Sequence, residues 1–113
     1  MFSNASLSIP KQATSDAHSY ELARVWVANK GLHCALRIGA FSEQGIDETQ
    51  AWGIVLADIS RHAARAISRD SHASEEEVRQ RILISFVNES SARITITVTV
   101  TENLTGGREA VAI

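Results

Sequence analysis

"ELARVWVANKGLHCALRIG", residues 21–39, holds two runs of branched and aromatic residues on either side of "NKG". That is the pattern of a β-hairpin turning near Gly31. With Lys30 and Gly31 as the turn, Ala23, Val25 and Val27 share one face with Leu32, Cys34, Leu36 and Ile38. The opposite face then carries Leu22, Arg24, Trp26, His33 and Arg37. A one-residue slip would set Arg24 and Trp26 beside Cys34 and Leu36 and scatter polar groups over both sides, which burial of one side opposes. A plain solvated face carries Lys, Glu and Thr, and a plain core carries no arginine. Arg24, Trp26, His33 and Arg37 are therefore the candidate binding surface, since tryptophan and arginine are enriched where interfaces concentrate their energy.

Downstream of a 39–45 loop, "DETQAWGIVLADISRHAARAIS" (47–68) repeats Trp52, Leu56, Ile59, Ala63 and Ala66 at helical spacing. Asp47 with Gln50 forms a capping pair; acids at the start and Arg61, Arg65 and Arg69 near the end suit the helix dipole. Gly53 costs ~1 kcal/mol of helix propensity, so close docking on the sheet is expected to compensate. Ser74 and Glu77 make a capping box for a second helix to about Glu89, with Val78, Ile82, Leu83, Phe86 and Val87 as its apolar stripe. The run 81–87 also alternates passably as a strand. "RITITVTVT" (93–101) is a clean strand, with four threonines on one side.

The order strand-strand-helix-helix-strand describes an α+β fold, a small antiparallel sheet with two helices packed on one face. Residues 1–20, rich in Ser and Ala around Pro10, form a flexible or extended arm. Residues 21–102 make a single α+β domain, and 103–113, with Gly106 and Gly107, form a loose C-terminal tail.

These residues resemble a family of small bacterial proteins known as a domain of unknown function. Its pattern is an Ile-Pro arm, an "ELxRVW" strand and an "AWGxxLxDxxRHxAxA" helix. Here they are matched by Ile9 and Pro10, by Glu21, Leu22, Arg24, Val25 and Trp26, and by Ala51, Trp52, Gly53, Leu56, Asp58, Arg61, His62, Ala64 and Ala66. The likeness spans about the first two thirds of the chain and departs at the "TITVTVT" strand. It implies a compact fold in a bacterial cytoplasm and carries over no catalytic residue.

The 113 residues suit one domain, 44 % hydrophobic and 21 % charged. No apolar run approaches the ~18 residues of a membrane span. The start "MFSNASLSIPKQ" shows no secretory pattern, so the expected address is cytoplasmic. A net charge of -2 disfavours nonspecific nucleic-acid binding. The single cysteine, Cys34, excludes an intrachain disulfide and reads as a small core residue.

Asp58 and His62, four apart on the first helix, could form an oriented general base. A surface ion pair with Arg61 and Arg65 nearby is the plainer reading, because no nucleophile accompanies them. Four scattered histidines give no metal pattern. No cofactor is implied, and the chain reads as non-catalytic. The expectation is a homodimeric interaction or regulatory module, joined through the bare sheet face or the 93–101 edge. A small anionic-ligand domain, with Arg24 and Arg37 receiving phosphate or carboxylate, is the alternative. Against both stands an arm that folds over Trp26 through Leu7 or Ile9.

Overall fold

The computed structural model describes residues 5–90, 98–102 and 108–112. Its elements run α1 (Lys11–Thr14), β1 (Ala23–Ala28), β2 (Gly31–Ile38), α2 (Ala40–Glu43), α3 (Glu48–Arg69), α4 (Glu75–Ser90), β3 (Val98–Glu102) and β4 (Arg108–Ala112). The class is α+β. The strands form one antiparallel sheet in the order β1-β2-β4-β3.

The β1–β2 turn is Asn29–Lys30, one residue earlier than the position of Gly31 suggests. Both residues have positive φ, 49° and 60°, the geometry of a two-residue turn whose twist matches the strands. The register pairs Ala23 with Leu36, Val25 with Cys34, Val27 with Leu32, and Trp26 with His33. This differs by two from the pairing a Lys30–Gly31 turn would give. Both faces keep their composition, because a shift of two preserves parity.

Asp47 caps α3 by accepting the Gln50 N–H at 3.0 Å and the Thr49 hydroxyl at 2.6 Å. Ser74 Oγ accepts the Glu77 N–H at 3.1 Å and starts α4, which settles 81–87 as helix. The turn between the helices is closed by the Ser68 hydroxyl donating to the Ala73 carbonyl at 2.9 Å. Ala64 is 0 % exposed in this helical hairpin, and Val78 is buried with it.

Several expectations need correction. A four-residue helix, α2, occupies the expected 39–45 loop, and a second four-residue helix, α1, lies within the 1–20 segment read as a flexible or extended arm. β4 lies where a loose tail was expected and pairs with β2 and β3. The first part of the 93–101 strand falls outside the described residues; the strand described is Val98–Glu102. Leu7 is 96 % and Ile9 69 % exposed, so neither covers Trp26. The helical cover expected over the apolar sheet face does not reach β1, where Val27 is 79 % exposed. Gly53 does not dock closely either: among the described residues, nothing lies within 4 Å of where its Cβ would stand.

That open position gives a direct test. Gly53→Ala should raise stability by about 1 kcal/mol, the full propensity difference, as read by urea unfolding. Destabilisation would mean that something packs against this backbone.

Candidate functional site

The hairpin register places Arg24, Trp26, His33 and Arg37 on one face of β1 and β2. Three of the four are already engaged. Arg24 Nη2 donates to Glu21 Oε2 at 3.0 Å. Arg37 Nε donates to the Glu21 carbonyl at 2.9 Å. His33 Nε2 donates to the Ala28 carbonyl at 3.0 Å, which places the ring proton on that nitrogen. Glu21 therefore holds both arginines from the chain just before β1, a role the sequence reading missed although its spacing of three from Arg24 was visible. Trp26 is the large apolar member of this face, 37 % exposed, and it sits on the outermost strand.

The secondary candidates form a surface ion-pair group. Asp58 lies 3.3 Å from His62 Nε2 and 3.6 Å from Arg61 Nη1, and the three side chains are more than half exposed. Arg65 leaves this group and pairs with Glu75 of α4 at 3.5 Å. The basic row on α3 is thus divided between an acid on its own helix and one on the next. Exposed pairs of this kind are worth at most about 1 kcal/mol each. Among the described residues, no three His, Cys, Asp or Glu side chains are placed to hold a metal ion.

Among the described residues, the most heavily bonded carboxylate is Glu48. Its Oε1 accepts from the backbone N–H groups of Phe41 and Ser42, both at 3.2 Å, and from the Ser42 hydroxyl at 3.3 Å. Its Oε2 accepts from the Gly39 N–H at 3.3 Å and the Trp52 indole N–H at 3.1 Å. Phe41 meets Trp52 edge-on, with centroids 6.4 Å apart. One carboxylate thus ties Gly39, which follows β2, the middle of α2 and the start of α3. Gly39 permits the approach through a φ of 101°, open to glycine at low cost. Burial pushes the Glu48 carboxyl up, but the Ser42 and Gly39 N–H groups, the Trp52 indole and the Ser42 hydroxyl outweigh it, and the pKa falls below the usual value. In the sequence Glu48 is one of the acids at the start of α3 that suit the helix dipole. The signal available was its i,i+4 spacing to Trp52.

This geometry defines a class: an α+β domain in which a carboxylate node fixes the connection from the β1–β2 hairpin into the helical hairpin, with an arginine–tryptophan face on β1 and β2. Residues 6–94 match the model of a domain of unknown function, DUF5076, and the chain belongs to that family. It is also similar to the solved structure of a "putative pyruvate dehydrogenase" from the photosynthetic bacterium Rhodopseudomonas palustrus CGA009. The likeness has a TM-score of 0.66 and 31% identity, and covers 89% of this chain and 97% of that one. No curated protein matches. No helix among the described residues is long and apolar enough to cross a membrane.

Because the folded carboxyl of Glu48 has the lower pKa, its contribution is fully present above the unfolded value of about 4.3 and is lost as pH falls through the folded value. Glu48→Gln should therefore be less stable than the parent at pH 7, with the gap closing as the pH drops below about 4. A gap independent of pH would contradict the carboxylate's role. Thermal unfolding across pH reads the difference.

Proposed function

We propose that the chain is a non-catalytic, self-associating interaction module whose working surface centres on the outer β1–β2 hairpin. The observation that carries this reading is the core. The buried apolar residues among the described ones are Ala51, Ala64 and Val78, and no large side chain there is fully buried. Val25, Val27 and Leu32 remain open on the sheet, and Leu56, Ile59, Leu83 and Phe86 on the helices. An α+β domain is held together by burying such faces against another layer.

Chain dimensions agree. The surface is 9649 Å², whereas a compact monomer of 12.3 kDa exposes about 6,100 Å². The radius of gyration is 16.0 Å, against about 13 Å for a compact domain of this length. A second copy is the partner that is always present, and closed two-fold symmetry is the commonest solution.

The same face supports an anion site less well. Arg24 and Arg37 already bond to Glu21, so an incoming carboxylate or phosphate would have to displace existing partners. Trp26, in contrast, is 37 % exposed on the same strand face as Arg24, and tryptophan with arginine is the combination found at interface hot spots.

Size-exclusion chromatography with light scattering should give twice the chain's 12.3 kDa. Trp26→Ala should weaken association by about 2 kcal/mol, some thirtyfold in Kd. A concentration-independent monomer would contradict the proposal.

A further inference from the structure

The edge of β1 specifies how the second copy can dock. β1 is the outer strand beside β2. The Leu22 carbonyl accepts the Arg37 N–H at 2.8 Å, so this is a hydrogen-bonded pair. Antiparallel alternation then makes Arg24–Ala35, Trp26–His33 and Ala28–Gly31 the other hydrogen-bonded pairs. The intervening residues, Ala23, Val25 and Val27, turn their N–H and C=O groups away from β2, and among the described residues no hydrogen bond outside the ladder reaches them. None of the usual edge defences is present. β1 contains no Pro, Gly or Lys and no bulge, and its one charge, Arg24, is paired with Glu21. Such an edge is a template for another strand.

We infer that β1 pairs antiparallel with β1 of a second copy across a two-fold axis at Val25, joining the two four-stranded sheets into one. This rests on the self-association reading above and specifies its geometry. With the axis at Val25, Ala23 lies opposite Val27 of the partner subunit and all three outward residues of each strand are paired. An axis at Arg24 would set that residue directly opposite its own copy, two like charges in the closest cross-strand position. An axis at Trp26 would leave Ala23 without a partner strand residue.

The Val25 register also gives the arginine–tryptophan face a purpose. It places Arg24 opposite Trp26 of the partner subunit, twice by symmetry, in the closely spaced non-hydrogen-bonded pairs. There the guanidinium can stack on the indole while still bonding Glu21. On the other face it brings Val25 against Val25 of the partner subunit.

Two measurements test this. In the native chain, amide hydrogen exchange should show the outward N–H groups of Ala23, Val25 and Val27 as slow as the inward ones of Arg24 and Trp26. Separately, with Cys34→Ser in every chain, an oxidised mixture of Arg24→Cys and Trp26→Cys chains should form a cross-linked heterodimer while neither chain alone cross-links. The paired Cα atoms would lie about 4.5 Å apart, within disulfide range. A dimer by light scattering whose outward amides exchange rapidly would overturn the β1 pairing and leave self-association standing. Slow outward amides with cross-linking of a single chain but not of the mixture would overturn the register. A monomer would overturn both. Should the cysteine chains fail to fold, the exchange pattern of the native protein still decides the pairing.

Discussion

Asn29 at φ 49° and Lys30 at φ 60° close the β1–β2 hairpin with a two-residue turn, and this turn sets the parity of both strands. Left-handed backbone costs a non-glycine residue on the order of 1 kcal/mol, so the strands must hold the turn in place. Parity decides which side chains stand together: Arg24, Trp26, His33 and Arg37 on one face, Val25, Val27, Leu32 and Cys34 on the other. It also decides which backbone groups of β1 face β2 and which face outward. The composition of the faces and the pairing capacity of the edge thus follow from one local geometry.

Glu48 is the second constraint. Five donors converge on it from Gly39, which follows β2, from α2 and from α3, so the connection from the sheet into the helices is fixed by polar bonds. A node of that kind fixes orientation at one point and leaves the wider faces uncovered. Hence α3 and α4 pack on each other around Ala64 and Val78 while β1 stays open on both sides.

Elements with a local signal were legible in the sequence. The caps at Asp47 and Ser74, the apolar periodicity of α3 and α4, and the alternation of β1 and β2 each depend on neighbouring residues, and each is found. What was not legible depends on distant groups. α2 has only four residues and no periodic signal, and Glu48 accepts the N–H groups of Gly39, Phe41 and Ser42 around it. β4 lacks alternation of its own and gains its place from β2 and β3. Gly31 drew the turn toward itself, although the left-handed positions fall on Asn29 and Lys30. In the candidate site the face was readable from parity, but Glu21, which holds both arginines, lies outside the strand and was passed over.

The claim that joins these points is that one copy does not close its own core, and concentration dependence tests it most directly. Folding coupled to association makes the thermal midpoint rise with protein concentration, because mass action stabilises the assembled state. A midpoint that climbs steadily over a hundredfold range of concentration is the predicted result. A midpoint that stays constant over that range, with a single cooperative transition, would show that the exposed apolar faces are compatible with a stable monomer.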